Sequence, residues 1–329
     1  MPKLCVVVPA YNEGESLREF HARLAAVFDK LDMQCEALYI DDGSRDDTYA
    51  VMCSLREGDP RVTTLKLSRN FGKELALTAG LDAADADAIV VIDADLQDPP
   101  ELIPMFLDRW REGFDVVYGT RSTRAGETEL KKFTSAAFYR VMERMSSTPV
   151  PRDTGDFRLM SRRALDALKR LRERQRFMKG LFTWVGFKQT SVMYERDARF
   201  AGVSKFNYWR LWNFALEGIT SFSTAPLKLA TYVGIGTAAL AFVYAVWVFG
   251  KALLLGDRVQ GYPTLMLVIL FIGGVQLMAL GMIGEYLGRM YIETKQRPLY
   301  LIDELIPAKQ SDAERTKISM RQPTIAGVD

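Results

Sequence analysis

The sequence predicts an α/β fold with a mostly parallel sheet, followed by two helices that cross a membrane. Through the first half of the 329 residues, short apolar runs alternate with amphipathic stretches, which is the pattern of β-α-β units. Further on, residues 229–250 and 264–284 are two runs without a charged side chain. Each run meets the requirement of about 20 apolar residues for a bilayer span.

The elements of the predicted sheet follow in order along the first half of the chain. The predicted strands are Leu4–Val8, Ala37–Ile40, Val62–Leu67, Ala88–Ile92 and Asp115–Tyr118, and the helices follow Asn12, Ser44, Gly72 and Pro100. Ligands of parallel sheets gather at the carboxyl ends of the strands, so we expect functional residues directly after each apolar run.

Composition argues against several classes of protein. The 43 Lys and Arg residues nearly balance the 41 Asp and Glu residues, and the formal charge of +2 indicates no nucleic-acid partner. The three cysteines, Cys5, Cys35 and Cys53, form no CxxC pair, which indicates neither a disulfide framework nor a zinc site. The single histidine, His21, lies inside a predicted helix, and we expect a structural role for it.

The second half of the chain predicts contact with a membrane. Residues 206–222 carry aromatic side chains, among them Trp209, Trp212, Phe214 and Phe222, with few charges, which is typical of an interfacial segment. The two uncharged runs could instead form a buried hairpin, but a soluble core helix of that length usually keeps a polar face. Lys228 precedes the first run and three basic residues follow the second, so both chain ends are expected in the cytoplasm. Residues 1–9 show no signal peptide.

Polar residues follow the first two predicted strands. VVVPAYNEGES (6–16) ends the first strand and opens a helix, and YIDDGSRDDT (39–48) repeats the layout with Asp41 and Asp42. A helix N-terminus at such a position can hold an anion or a ribose. The same residue types also serve as ordinary turn and capping groups, so neither stretch alone identifies a site.

The stretch VVIDADLQDPPELI (90–103) gathers carboxylates at the mouth of a buried strand. In an extended segment, side chains two residues apart point to the same side, so Asp93, Asp95 and Gln97 are expected to face one cation. Two carboxylates, an amide and the oxygens of a diphosphate suit Mg2+ or Mn2+. The alternative is a solvated acidic turn before two prolines.

Six short motifs occur together in the sequence. They are PAYNE (9–13), DDGS (41–44), DADLQDPPE (93–101), GTR (119–121), DTGDFRLM (153–160) and RFAGVSKF (199–206). On these motifs the sequence resembles the family-2 glycosyltransferases of the GT-A fold, a Rossmann-like architecture. More narrowly it resembles the polyisoprenyl-phosphate glycosyltransferases, among them dolichol-phosphate mannose synthase and bactoprenol glucosyltransferases. The resemblance covers about residues 1–301.

The resemblance implies a role for each matching position. The nucleotide sugar would be lined by Pro9, Tyr11, Glu13, Ile40, Asp42, Asp93, Ala94, Asp95 and Arg121. Phosphates of donor and acceptor would be bound by Arg121, Arg199 and Lys205, and Mg2+ or Mn2+ by Asp95, Gln97 and Asp93. Asp95 and Asp156 would be catalytic. Asp156 would orient the acceptor or take its last proton, unless it only forms a salt bridge to Arg158 or Arg121.

The implied activity is inverting transfer of a hexose, glucose before others, from a UDP-sugar to undecaprenyl phosphate at the cytoplasmic face of the bacterial inner membrane. Three alternatives stay open: another donor (aminoarabinose, N-acetylhexosamine or GDP-mannose), a processive polysaccharide synthase, and a non-catalytic scaffold that binds nucleotide sugars. A processive synthase would need more spans and a QxxRW motif, which the sequence lacks. A homo-oligomer is also left open.

The expected domains follow from this interpretation. They are a cytoplasmic GT-A domain (1–205), an interfacial amphipathic segment (206–224), a two-helix transmembrane region (225–288) and a cytoplasmic tail (289–329) whose end, after Pro307, is expected to be disordered.

Overall fold

The structure is a computed structural model that describes residues 1–121, 154–174, 176, 178–194, 225–255 and 261–309. Its elements are β1 (Lys3–Ala10), α1 (Gly14–Phe28), β2 (Gln34–Asp41), α2 (Thr48–Gly58), β3 (Val62–Leu67), α3 (Lys73–Ala83), β4 (Ala88–Val91), a short 3-10 helix (Pro100–Leu102), α4 (Ile103–Arg111), β5 (Val116–Arg121), β6 (Thr154–Ser161), α5 (Arg162–Lys169), α6 (Met178–Trp184), β7 (Gln189–Tyr194), α7 (Ala225–Leu255), α8 (Tyr262–Thr294) and β8 (Ile302–Ile306). The chain divides into two compact units, a sheet domain that includes β1 to β8 and a helix pair formed by α7 and α8.

The sheet domain contains eight strands in the described part of the chain, in the order β7-β5-β6-β4-β1-β2-β3-β8. The central strands β4, β1, β2 and β3 are parallel to their neighbours in this group, and β5 is parallel to β7. β6 runs antiparallel to β4 and β5, and β8 runs antiparallel to β3. The prediction of a mostly parallel, Rossmann-like α/β sheet is confirmed.

All five predicted strands and the four predicted helices are present, but the sequence prediction did not find β6, β7 or β8. β6 lies in a segment rich in Arg and Lys, and its sequence TGDFRLMS carries Asp156 and Arg158 among the apolar residues. Arg158 is only 4% exposed, so a buried charge interrupts the pattern that would otherwise indicate a strand.

The core lies on both faces of β1. Leu4, Val6 and Val8 are fully buried in the cluster that includes α1. On the opposite face, Val7 meets α3 at Gly80, where an added Cβ would lie 2.5 Å from the Val7 side chain and 2.6 Å from that of Ile40. Burial on both faces explains why the first strand is apolar throughout rather than alternating.

His21 and the cysteines have structural positions, as the sequence predicts. The Nδ1 atom of His21 lies 2.9 Å from the hydroxyl of Tyr39, and burial lowers the pKa of the imidazole. Cys5 and Cys35 are buried and Cys53 is partly exposed, all three as free thiols.

The helix pair supports one candidate span where the sequence predicts two. Among the described residues, Phe271–Thr294 is long and apolar enough to cross a membrane, and Ala230–Tyr244 in α7 is a shorter apolar segment. Two transmembrane helices are therefore not confirmed.

Part of the predicted tail belongs to the sheet domain. β8 lies inside residues 289–329 and pairs with β3, and the Arg56 guanidinium donates to the backbone oxygen of Pro307 at 2.9 and 3.1 Å. The predicted interfacial segment 206–224 and the chain after Lys309 lie outside the described residues.

Candidate active site

Hydrogen bonds donated by backbone N–H groups to side-chain oxygens join the first two strand ends. The N–H of Asn12 donates to Ser44 Oγ at 3.0 Å, and the N–H of Glu13 donates to Thr48 Oγ1 at 2.9 Å. In return, the N–H of Arg45 donates to Asn12 Oδ1 at 2.9 Å. The PAYNE and DDGS motifs therefore form one connected edge at the carboxyl ends of the neighbouring strands β1 and β2.

Four of the predicted nucleotide-binding residues lie along this edge with different exposure. Pro9 and Ile40 are buried in the sheet, Glu13 is half-buried, and Tyr11 is 37% exposed. Because the side chain of Ile40 packs under Gly80, only its backbone faces the strand end. Tyr11 is the large apolar side chain here that is open to a ligand.

The carboxylate of Asp42 fixes the start of α3. It is 2% exposed and accepts hydrogen bonds from the N–H groups of Phe71, at 2.7 Å, and Gly72, at 2.9 Å. Burial raises the pKa of Asp42, and the two hydrogen bonds oppose that shift. Gly72 has φ +97°, a conformation that favours glycine, and it is the last residue before α3. Asp42 therefore positions the loop that leads to Lys73.

The acidic stretch does not have the extended backbone on which the prediction of a shared face depends. β4 ends at Val91, a turn follows at Ala94 and Asp95, and Leu96 has φ +59°. Side chains two residues apart do not point the same way through a turn, so that reason for placing Asp93, Asp95 and Gln97 on one cation is wrong. Inside the turn, the N–H of Gln97 donates to Asp95 Oδ1 at 3.1 Å.

The three aspartates of this stretch have different surroundings. Asp93 accepts from Lys73 Nζ at 2.7 Å, and Asp95 is 7% exposed in the turn next to the buried Ala94. Asp98 is 1% exposed and accepts a short hydrogen bond from the hydroxyl of Tyr194, the last residue of β7. The turn is thus held at one end by α3 and at the other by β7.

Lys73 connects the acidic turn to Asp156. Its Nζ lies 2.7 Å from Asp93 Oδ2 and 2.5 Å from Asp156 Oδ2, while Asp156 and Lys73 are 83 residues apart in sequence. Burial acts to lower the pKa of Lys73, but the two carboxylates outweigh it and hold that pKa above its ordinary value. Burial acts to raise the pKa of Asp156, and Lys73 and Lys179 outweigh it, so the pKa lies well below its usual range. Asp156 is therefore ionised at neutral pH.

Two further ionisable side chains, Glu74 and Arg158, lie near Asp156. Glu74 accepts from the N–H of Met178 at 3.1 Å, and burial, with the charge of Asp156, raises the pKa of Glu74 to about 7. Arg158 is stacked on Phe182, with its guanidinium carbon 3.8 Å from the ring centroid, and donates to the backbone oxygen of Gly155 at 3.0 Å. Asp156 forms a salt bridge to Lys73, whereas the Arg158 guanidinium contacts the backbone oxygens of Gly155 and Asp156.

The donor set fits a divalent cation that arrives with a diphosphate. Within the described ranges, no group of three or more His, Cys, Asp and Glu side chains is arranged to hold a metal ion. Mg2+ in nucleotide sites usually takes one or two carboxylates, substrate phosphates and water, rather than a closed protein cage. The carboxylate of Asp95 and the amide of Gln97 are oxygen ligands of this kind, two residues apart in a tight turn.

Three predicted phosphate contacts remain predictions. Arg199 and Lys205 lie outside the described residues, and Arg121 is described only as the last residue of β5, paired with Tyr194. Gly119, in the same GTR motif, leaves room for Tyr194, because an added Cβ would lie 2.7 Å from its ring. The motif therefore has a packing role beside any role in binding.

Sequence reasoning missed Lys73, Glu74 and Tyr194. Tyr194 and Lys73 meet their partners only through the fold, so no local pattern indicates them. One signal was available for Lys73: a lysine in the first turn of a helix is unfavourable beside the positive end of the helix dipole, and this suggests an acidic partner elsewhere.

Two parts of the chain match known families. Residues 5–169 match glycosyl transferase family 2, and residues 225–290 match the GtrB C-terminal hairpin. The chain belongs to glycosyl transferase family 2, which confirms the prediction of a glycosyltransferase.

Two relatives align over most of both chains. An uncharacterized glycosyltransferase of Synechocystis sp. is 52% identical over 303 residues, 92% of this chain and 95% of the relative. The bactoprenol glucosyl transferase of Shigella phage SfV is 46% identical over 300 residues, 91% of this chain and 98% of the relative. Among solved structures, glucosyl-3-phosphoglycerate synthase from Mycobacterium tuberculosis, with Mn2+, UDP-glucose and phosphoglyceric acid, is 20% identical. It covers 66% of this chain and 77% of its own with a TM-score of 0.45, a likeness too distant to inform the site.

Proposed function

We propose that this protein transfers glucose, with inversion, from UDP-glucose to a polyprenyl phosphate such as undecaprenyl phosphate. One observation carries the proposal: 46% identity to a bactoprenol glucosyl transferase extends over 91% of the chain, across both the sheet domain and the helix pair. The match of residues 225–290 to the GtrB C-terminal hairpin extends this support to the helix pair.

The donor lies at the carboxyl ends of β1, β2 and β4 in this proposal, because ligands of such sheets bind there. The residues that line the nucleotide sugar are Pro9, Tyr11, Glu13, Ile40, Asp42, Asp93, Ala94, Asp95 and Arg121. Arg121, Arg199 and Lys205 contact phosphates. Asp95 and Gln97, with Asp93 beside them, hold Mg2+ or Mn2+, which supplies positive charge against the diphosphate of the leaving nucleotide.

The acceptor phosphate acts as the nucleophile. Its second pKa near 6 leaves it largely deprotonated at neutral pH, so no strong protein base is needed. Asp156 has a depressed pKa and is a weak base, which favours its role as an orienting group over its role as a proton acceptor.

The membrane arrangement of the proposal follows the expected domains. Residues 206–224 lie at the interface, residues 225–288 enter the bilayer as a pair of helices, and the sheet domain and both chain ends lie at the cytoplasmic face of the bacterial inner membrane. The name of the relative, a bactoprenol glucosyl transferase, supports membrane association.

A donor profile tests the proposal. The full chain, purified in detergent with Mg2+ or Mn2+, is given undecaprenyl phosphate and one of four donors: UDP-glucose, UDP-N-acetylglucosamine, UDP-aminoarabinose or GDP-mannose. We expect a glycolipid from UDP-glucose at the highest kcat/KM. A higher kcat/KM with another sugar would overturn the choice of glucose, and no glycolipid from any donor would overturn lipid-phosphate transfer.

A further inference from the structure

The ammonium of Lys73 joins the acidic turn to β6. It reaches Asp93, two residues after the end of β4, and Asp156, near the start of β6. β4 and β6 are neighbouring antiparallel strands, but their paired residues begin only at Val91 and Arg158. Continued by two residues, this register places Asp93 opposite Asp156, and the ammonium of Lys73 lies between their carboxylates.

The loop before α3 places Lys73 for this contact. Asp42 holds the N–H groups of Phe71 and Gly72, and α3 begins at the next residue. A lysine at the first position of a helix meets the positive end of the helix dipole, which is unfavourable by itself. The two carboxylates offset that cost, so the position of Lys73 and the contacts of its side chain depend on one another.

Negative charge accumulates around this point. Asp95 in the turn lies near Asp93, and Glu74 on α3 lies near Asp156. Besides Lys73, the cations Lys179 and Arg158 act on Asp156. Two ionised carboxylates in a partly buried site repel each other unless a cation lies between them. The Lys73 side chain is 45% exposed as a whole, while its ammonium lies between the two carboxylates.

We propose that Lys73 is a positioning residue for sugar transfer, whose ammonium ties the donor-binding Asp93 to Asp156 at the reacting centre. This rests on the proposed function for the identity of the two sites. This bridge, formed by Lys73 with Asp93 and Asp156, keeps the two carboxylates at a fixed spacing before the substrates bind. A misplacement of about 1 Å at a reacting centre is enough to cost up to 100-fold in rate.

The bridge also predicts competition with a divalent cation. Lys73 is a fixed positive charge beside carboxylates that a metal ion would also use. Removing it exposes Asp93 to a free cation, and Mn2+ alone should then bind more tightly. A variant that had simply lost its structure would bind Mn2+ less tightly, so the direction of the change separates the two causes.

The test compares Lys73→Met, Lys73→Arg and Lys3→Met in the full chain. Lys3 is the control, because its Nζ lies 2.6 Å from Glu36 in an ion pair whose side chains are 29% and 9% exposed, at the opposite end of the sheet. For Lys73→Met we expect kcat to fall by at least about tenfold, while KM for the donor stays within about threefold of wild type. We expect the affinity of the variant for Mn2+ to be roughly tenfold higher than that of wild type. Lys73→Arg should recover part of kcat and keep the weak Mn2+ binding, and Lys3→Met should match wild type in both.

Two results would overturn the positioning role: kcat of Lys73→Met within twofold of wild type, or Mn2+ affinity that is unchanged or lower. The Mn2+ titration uses the metal alone and needs no sugar transfer. If wild type transfers no sugar to any lipid phosphate, the proposed function fails, while tighter Mn2+ binding by Lys73→Met still supports the bridge between the carboxylates.

Discussion

Replacing Asp95 by Asn should lower kcat/KM for glucose transfer about 100-fold or more, while the fold stays intact. The amide keeps the shape of the side chain and one oxygen, so the hydrogen bond from the N–H of Gln97 can be retained. What is lost is the negative charge beside the diphosphate, which a divalent cation needs in order to bind there. Steady-state kinetics with varied Mg2+ and Mn2+, together with a thermal melt, measure both effects.

Asp87→Asn is the matched control for this prediction. Asp87 is exposed at the other end of the same strand, where it accepts from the N–H of Lys3 at 2.8 Å. We expect wild-type kinetics from it. Full activity of the wild-type protein in excess chelator, or a loss of less than threefold in Asp95→Asn, would remove the metal from the account.

Replacing Arg158 by Met should destabilise the sheet domain by about 3–5 kcal/mol, because it takes one partner away from a buried set of charges. Burial lowers the pKa of Arg158 to about 10, with Asp156 and Glu74 opposing, so the guanidinium is charged at neutral pH. Methionine fills part of the volume of the arginine side chain. It leaves the Gly155 carbonyl without its donor and Asp156 and Glu74 without the charge of the guanidinium. Chemical denaturation of the full chain, followed through the unfolding of the sheet domain, measures the change.

Two further variants separate charge from packing at Arg158. Arg158→Lys keeps the charge but loses the planar stack on Phe182, so an intermediate loss of about 1–2 kcal/mol is expected. Arg162→Met, four residues later, removes an ion pair with Asp85 whose side chains are 43% and 66% exposed, and should cost less than about 1 kcal/mol. Equal losses for Arg158→Met and Arg162→Met would contradict the role of burial.

The central sheet could be predicted from sequence because its signals are local. β1 and β4 are short apolar runs, and each is followed directly by the polar residues that reach the site. The same reasoning failed at β6, where Arg158 is buried by contacts with Phe182, a residue 24 positions away that no local pattern connects to it. β6 could therefore be identified only from the structure, which shows the contact of Arg158 with Phe182.

The candidate site was predicted in its parts but not in its geometry. The motifs gave the correct strand ends, and Asp93, Asp95 and Asp156 all lie at that edge of the sheet. The alternation argument failed because Leu96 adopts a left-handed conformation, which is uncommon for leucine and has no sequence signal. Lys73 was missed because its two carboxylates come together only through the pairing of β4 with β6.

The central claim is that one glucose moves from UDP-glucose to a lipid phosphate with inversion, and the product itself tests it. The full chain is incubated with UDP-glucose labelled with carbon-13 at C1 and with undecaprenyl phosphate, and the lipid fraction is read by mass spectrometry and NMR. The account predicts a single labelled glucose on the lipid monophosphate, in the β configuration because the donor is α, with free UDP in equal amount. A retained α configuration, a glucan chain or a label that never enters the lipid fraction would contradict it.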